Sequence, residues 1–368
     1  MTRTDELRLA VLPARHGDCL LLQWGAGADC RRMLIDAGPA PAYAGIARRL
    51  RTLDAPTVDV LVMTHVDADH IEGTILAAND SDLGLSIGQV WYNGAPHLTS
   101  ELGAVHGEIL GMLISELAIP WNESFDGGAV RAPETGSLAT WELPGGLRVT
   151  VLAPDGEALR RLRDVWRETC NEAGIATGSI ADALAALRGK RALSPEHSYL
   201  SRPAVRNIRD LARARSGSDP SVPNASSIVL LVEYGETRIL LTGDATPSVL
   251  APAVRRLLAE RGLSSLPLTA LKMPHHGSSK NITAELIGSL PAEQYLFSTD
   301  GSYFNHPDET AVATVLEYGP LGLELVFNYD TPRTRVWDDV RLQESYGYRV
   351  RYPDEATAGI ELVWGAPA

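Results

Sequence analysis

Residues 63–70, MTHVDADH, place His65, Asp67, Asp69 and His70 within eight positions, directly after the apolar run VDVLV. Charge gathered so tightly at the end of a strand-like run is costly to desolvate unless something neutralises it. Two readings compete: a solvated acidic loop, or half of a metal site. The rest of the chain decides between them.

The run 58–65 is β-branched and apolar, of buried-strand type, and delivers His65 at its C-terminal end. IEGTILAAND (71–80) carries a helical pattern, so the ligand-rich loop joins a strand end to a helix N-terminus. Three later stretches repeat the arrangement. Asp244 ends the strand pattern TRILLTGDA, His275 and His276 end LTALKMPHHGS, and His306 follows QYLFSTDG in FNHPD. Taken singly, each has an ordinary explanation as a turn, a polar loop or a surface histidine. Four successive strand ends that all present imidazole or carboxylate do not. Loops at strand ends converge in layered α/β proteins, and this donor set is the one hydrolytic metal centres use. The metal reading prevails.

The 368 residues are 45% hydrophobic and 21% charged, the composition of a globular protein. No apolar stretch approaches the ~20 residues of a membrane helix, and charges interrupt the N-terminal segment where a signal core would lie. A cytoplasmic chain without membrane attachment is the expectation. Three unevenly spaced cysteines, Cys19, Cys30 and Cys170, make neither a disulfide framework nor a thiolate zinc site. The net charge of −13 excludes a surface generally coated with nucleic acid. Residues 157–215 run the other way: twelve Arg/Lys against seven Asp/Glu give +5, leaving −18 elsewhere. Such a run is a solvated helical face or a polyanion-binding surface.

Strand and helix patterns alternate, which gives an α/β (α+β) class in one domain spanning 1–368, with 95–222 as an inserted, partly helical region. Residues 98–119 read as helical. The polar end of the insertion, SGSDPSVPNAS (216–226), reads as mobile. RTRVWDDV (333–340), YRVRY and GIELVW read as closing strands.

Together, HGDCLLL…MLIDAG, LVMTHVDADHIEG, NASSIVLLVEYGETRILLTGDA, LKMPHHGSSKN and FSTDGSYFNHP resemble the metallo-β-lactamase fold. Within it they are most similar to the soluble nuclease-like domain at the C-terminus of competence DNA-uptake channel proteins. The matching motifs run from about residue 8 to 310, and 95–222 is unmatched. The resemblance implies a four-layer αβ/βα sandwich with two divalent metal ions, Zn²⁺ or Mn²⁺, at one edge. It makes His65, Asp67, Asp69 and His70 ligands and Asp244 the carboxylate that bridges both ions. One of His275 and His276, with preference for His276, completes the second ion's sphere. Asp69 and His306 become the catalytic residues, His306 as general acid or oxyanion donor, and Asp36 orients a ligand. The sequence departs from most members in having Asp67 and Asn224 where they have histidines. Both changes enrich the first site in oxygen, which favours Mn²⁺ or Mg²⁺ over Zn²⁺ and weakens that ion's hold.

A metal-bound water with a pKa of about 7 supplies hydroxide at neutral pH, against a phosphodiester or a carbonyl ester alike. Three features favour phosphodiesters. Ser278, Ser279 and Lys280 follow the histidines and, with Asn224, are candidates to hold the substrate; the backbone N–H groups and the ammonium would face a phosphate. His306 suits protonation of an alkoxide, and the basic segment suits a polyanion. The function expected is a phosphodiesterase or nuclease acting on DNA, RNA or a nucleotide. Hydrolysis of a lactone or other carbonyl ester is one alternative; a non-catalytic partner or effector subunit that retains the fold is another. No protein partner is readable from the sequence.

Overall fold

The computed structural model describes residues 6–53, 56–98, 108–172, 174, 179–191, 207–214, 216–355 and 358–365. The chain opens with β1 (Leu7–Val11), β2 (Leu20–Trp24) and β3 (Arg31–Ile35), then α1 (Tyr43–Leu50), β4 (Thr57–Val62), α2 (Ala68–Ala78) and β5 (Ser86–Trp91). Helices α3 (Ala95–Leu98) and α4 (Ile109–Glu116) precede the hairpin β6 (Thr140–Leu143) and β7 (Leu147–Ala153). Four helices follow: α5 (Gly156–Glu172), α6 (Ile180–Gly189), α7 (Ile208–Arg213) and α8 (Val222–Ala225). A second hairpin, β8 (Val229–Tyr234) and β9 (Thr237–Leu241), leads into α9 (Pro247–Arg261), β10 (Leu268–Lys272), α10 (Ala284–Ser289) and β11 (Ala292–Phe297). The chain closes through α11 (Glu309–Tyr318), β12 (Glu324–Phe327), α12 (Pro332–Arg335), α13 (Val340–Tyr346), β13 (Arg349–Arg351) and β14 (Ile360–Trp364).

The strands form two sheets, in the orders β14-β1-β2-β3-β4-β5 and β13-β12-β11-β10-β9-β8-β7-β6. Period-two patterning decides how they stack. Leu7, Leu9 and Val11 of β1 share a buried core with Leu230 and Val232 of β8 and Ile239 and Leu241 of β9, so these faces oppose one another. The alternate residues point outward. Ala10, Leu21 and Leu34 pack under Ile46, Ile71, Leu110 and Leu162 of α1, α2, α4 and α5. Val229, Leu231 and Leu240 pack under Leu257, Ile287 and Val315 of α9, α10 and α11. The result is the four-layer αβ/βα sandwich. Each fully buried aliphatic side chain contributes roughly 1.5–3 kcal/mol, and a one-residue slip would turn a whole row to the wrong side.

Two sequence readings change here. RTRVWDDV is not a strand: α12 occupies its start, because Thr331 and Thr334 form a reciprocal capping box and Pro332 sits at the first helical position. Trp337 is buried beyond it and α13 follows. Within 95–222, β6 and β7 extend the eight-stranded sheet. Of the helix expected over 98–119, α4 covers 109–116, and residues 99–107 lie outside the described residues. Among the described residues no helix is long and apolar enough to cross a membrane.

Candidate metal centre

Parallel pairing sets the site. β3 and β4 run parallel in one sheet, and β9, β10 and β11 run parallel in the other. The loops leaving their C-terminal ends carry Asp36, His65, Asp244, His275 and His276, and the loop after β11 reaches His306. Two backbone devices let the loops close up. A Cβ at Gly17 would lie 1.8 Å from the Asp69 carbonyl oxygen, so only glycine lets the β1–β2 turn reach the ligand loop. His275 and His276 are both left-handed, at φ 46° and 54°, a strain of order 1 kcal/mol or more each. The bonds their rings make hold them there.

The rings converge on one carboxylate. Asp244 Oδ2 lies 4.0 Å from His65 Nε2, 3.4 Å from His70 Nε2, 3.7 Å from His275 Nε2 and 3.5 Å from His276 Nε2. Asp67 Oδ2 is 3.7 Å from His65 Nε2, and Asp69 Oδ2 is 3.6 Å from His276 Nε2. Behind each ring, Nδ1 meets an acceptor. His70 Nδ1 bonds Asp36 Oδ2 at 2.7 Å, and His276 Nδ1 bonds the Ser298 carbonyl at 2.9 Å. The Thr64 hydroxyl already donates to Asp36 Oδ2 at 2.7 Å, so at 3.0 Å from His65 Nδ1 it must accept. Every one of these bonds places the ring proton on Nδ1 and leaves the Nε2 lone pair inward. Imidazoles fixed by an outer acceptor are the hallmark of metal ligands.

What the inward atoms lack is equally telling. His65 Nε2, His70 Nε2, His276 Nε2 and Asp244 Oδ1 are buried and make no hydrogen bond among the described residues, a costly condition unless a ligand satisfies them. Asp69, His70 and His276 offer donor atoms within 4.8 Å of one another, and so do His65, His70 and Asp244. The donor set fits two divalent cations. Its electrostatics agree. Burial alone would lower the His70 and His276 imidazoles, but Asp244 with Asp36 or Asp18 holds both well above the ordinary histidine value. Burial would raise the Asp69 carboxyl, yet His70 and His276 bring it down to about 2. The pocket is poised for positive charge.

Sequence reasoning missed one member. Asp219 Oδ2 accepts from Asn224 Nδ2 at 2.7 Å and Asn281 Nδ2 at 2.9 Å, and lies 3.2 Å from His275 Nδ1. The stretch SGSDPSVPNAS, expected to be mobile, is instead pinned to the centre by this carboxylate. Asn224 is buried and its Oδ1 makes no hydrogen bond among the described residues, while its Nδ2 is held by Asp219. The phosphate cradle expected after the histidines is not formed. The N–H of Ser278 bonds the His275 carbonyl, that of Ser279 bonds Asp308 Oδ2, and that of Lys280 faces Ser278 Oγ. All three amides are engaged within the protein, two in the loop itself and one by Asp308, which leaves the exposed Lys280 ammonium as the loop's contribution to a substrate. His306 Nδ1 lies 3.0 Å from Asp308 Oδ1. Burial lowers the His306 imidazole against the opposing pull of Asp308, and that carboxyl falls to about 2, chiefly through His306 over the cost of its own burial.

A cleft of 560 Å³ opens beside the centre, lined by Asp67 and Asp69 on one side and by His16, Tyr303 and Phe304 on another. Of the basic segment, Lys190 and Arg191 reach it; Lys190 pairs with the buried Glu72. Arg160 and Arg161 pair with Glu157 on the exposed face of α5, Arg163 with Asp164, and Arg209 with Glu317. These pairs are a solvated helical face. Arg202, Arg206 and Arg215 lie outside the described residues.

No family model matches the chain, and no curated protein matches it in sequence. Among solved structures, the metallo-β-lactamase fold protein YhfI from Bacillus subtilis aligns over 98% of this chain and 99% of its own, at 10% identity and a TM-score of 0.42. CmlA, a diiron β-hydroxylase from Streptomyces venezuelae, aligns over 99% of this chain at 14% identity and a TM-score of 0.39; the chain spans 54% of its length. A metallo-β-lactamase from Cronobacter sakazakii aligns over 39% of this chain and 51% of its own, at 19% identity and a TM-score of 0.20. These are likenesses of architecture and assign no chemistry. The layering, two mixed sheets face to face with helices outside, is that of the metallo-β-lactamase fold.

Proposed function

We propose that the chain is a metal-dependent hydrolase of phosphodiesters, with nucleic acid or a nucleotide as substrate. One observation carries the reading: four histidine Nε2 atoms stand within 4.0 Å of Asp244 Oδ2, each ring anchored from behind. Asp69, His70 and His276 would hold one divalent cation and His65, Asp67 and His275 the other, with Asp244 shared. When bound, such a pair supplies a water acidic enough to act as nucleophile near neutral pH.

The chain's own residues supply orientation and proton transfer. Asp36 keeps His70 turned inward directly and His65 through Thr64. His306 holds its Nδ1 proton on Asp308, which leaves Nε2 to exchange a proton with the leaving oxygen. Burial lowers its pKa, so the protonated ring is scarcer but more strongly acidic. An expelled alkoxide needs that proton, and the motif resemblance to DNA-uptake nuclease domains supports the same substrate class.

The test is metal content together with turnover. Chelated protein resupplied with Mn²⁺ or Zn²⁺ is assayed on bis-(p-nitrophenyl) phosphate, single-stranded DNA and a lactone. The diester and the DNA should be cleaved, with Mn²⁺ the better activator because Asp67 and the shared Asp244 supply oxygen to the ion beside His65. Turnover of the lactone alone would reassign the centre to carbonyl esters. Bound metal with no turnover of any substrate would indicate an effector subunit.

A further inference from the structure

Two large aromatic side chains remain uncovered where the cleft opens. Tyr303 is 53% exposed and Phe304 44%, and both line the cleft beside the centre. They are not scattered apolar residues. Tyr303 lies over His16 with ring centroids 5.1 Å apart and planes 27° from parallel. Phe304 meets Tyr303 edge-on at 4.5 Å, stacks on His306 at 5.9 Å and 23°, and presents an edge to His275 at 6.1 Å. A continuous run of rings therefore leads from the open cleft to the donors around Asp244.

The loop that carries them is tied along its length. Asp300 N–H bonds the Arg15 carbonyl at 2.8 Å, and Ser302 N–H bonds Asp300 Oδ1 at 2.8 Å. Arg333 Nη2 donates to Asn305 Oδ1 at 3.1 Å. The platform is preorganised, so a ligand meets it without ordering a loop first. The rest of the lining is mixed: Pro39 and Pro41 are apolar, Arg191 is cationic, and Asp67 and Asp69 belong to the metal centre. A flat ring that carries phosphate fits, because its face covers Tyr303 or Phe304 while its charge stays near the cations.

We infer that Tyr303 and Phe304, backed by His16, stack an unpaired nucleobase of the substrate next to the scissile phosphate; the inference rests on the phosphodiester reading above. A paired base keeps both faces inside its duplex and reaches such a shelf only by flipping out. The centre therefore selects a free nucleotide or a single strand over a duplex.

Binding tests this separately from turnover. Fluorescence anisotropy with the metal-loaded protein compares a labelled phosphorothioate oligothymidylate, which resists hydrolysis, with an abasic phosphorothioate strand of equal length. The base-bearing strand should bind roughly tenfold more tightly, the scale of one base stacked on an aromatic ring. Tyr303→Ala with Phe304→Ala should bring it down to the abasic level, whereas Tyr303→Phe, which keeps the ring face, should retain the preference. Equal affinity of the two strands for the unmodified protein, absence of binding, or equal losses on both strands in the double variant would each overturn the inference. Base preference without cleavage of any diester would leave the shelf standing and remove the hydrolase reading. Cleavage without base preference would do the reverse.

Discussion

Asp36 Oδ2 accepts from His70 Nδ1 and from the Thr64 hydroxyl, and that hydroxyl accepts from His65 Nδ1. Removing the carboxylate frees two rings, one assigned to each cation, while removing the hydroxyl frees only His65. Asp36→Ala is accordingly expected to weaken both metal sites about 10–100-fold. Thr64→Val should weaken one, since the Thr64 N–H bond to Asp36 Oδ1 survives it. Calorimetric titration of the chelated variants with Mn²⁺ reads this directly, and identical losses in the two would rule out the relay. Asp36 could be named at the level of sequence because LIDAG belongs to the set of motifs that resembles the metallo-β-lactamase fold. Asp219 could not. It meets His275 across 56 positions from a stretch with no periodicity. Its one local signature, the Ser221 N–H on Asp219 Oδ1 at 2.9 Å, belongs to any turn aspartate.

At the start of β2 and the end of β10, Asp18 and Lys272 form an ion pair at 2.7 Å, with side chains 2% and 0% exposed. Each alone would be a buried charge stripped of its main partner, with Asp18 Oδ1 left 3.4 Å from His276 Nδ1. Lys272→Met should therefore cost about 3–5 kcal/mol of folding stability, and Asp18→Asn added to it should restore most of the loss. Denaturant midpoints decide, and additive losses in the double variant would show that the two groups are not coupled. Helix α4 offers a pH test. Glu108 caps it, with Oε1 accepting from Gly111 N–H at 2.7 Å, and burial raises its carboxyl above the ordinary 4.5. The folded state thus prefers the protonated form. That contribution is complete below the unfolded-state value and is lost as pH rises through the folded one. Glu108→Gln keeps an acceptor without the charge, so its melting temperature relative to the unmodified protein should climb between pH 5 and pH 8. A difference that stays flat or falls over that range would contradict the assignment. Strands such as β4 and β9 were legible because both their faces are largely buried, which makes each a near-continuous apolar run. RTRVWDDV misled because Thr, Val and Trp suit a strand, while the Thr331–Thr334 box and Pro332, which decide the matter, lie at its edge.

Across the whole molecule, the centre draws Asp36, His65 and His70 from the six-stranded sheet and Asp244, His275 and His276 from the eight-stranded one. Cations held between them tie the sheets together. Chelation should lower the melting temperature, and readdition at a hundredfold excess over Kd should return about 2.7 kcal/mol per ion; a chelated protein that melts unchanged would place the ions elsewhere. Charge distribution bears on the substrate in the same way. The +5 segment looks in sequence like a polyanion track, yet Arg160, Arg161, Arg163 and Arg209 are taken up by neighbouring carboxylates. Among the described residues Arg15, Lys190 and Arg191 are the basic side chains that line the cleft. Counterion release scales with the number of phosphates contacted, at about 0.7 per contact on a single strand. Lys190 already pairs with Glu72 and Arg15 with Asp300, so at most three contacts form. The log KM for an oligonucleotide should then rise with log salt at a slope of no more than about 2, whereas a track using all twelve basic residues would give about 8. Arg191→Gln should raise that KM and flatten the slope, leaving a small singly charged diester nearly unaffected. Arg160→Gln with Arg161→Gln should change neither, because those side chains face Glu157 and solvent. A steep slope in which the α5 pair matters as much as Arg191 would mean that the strand runs over the helical face, and that the cleft is not its main path.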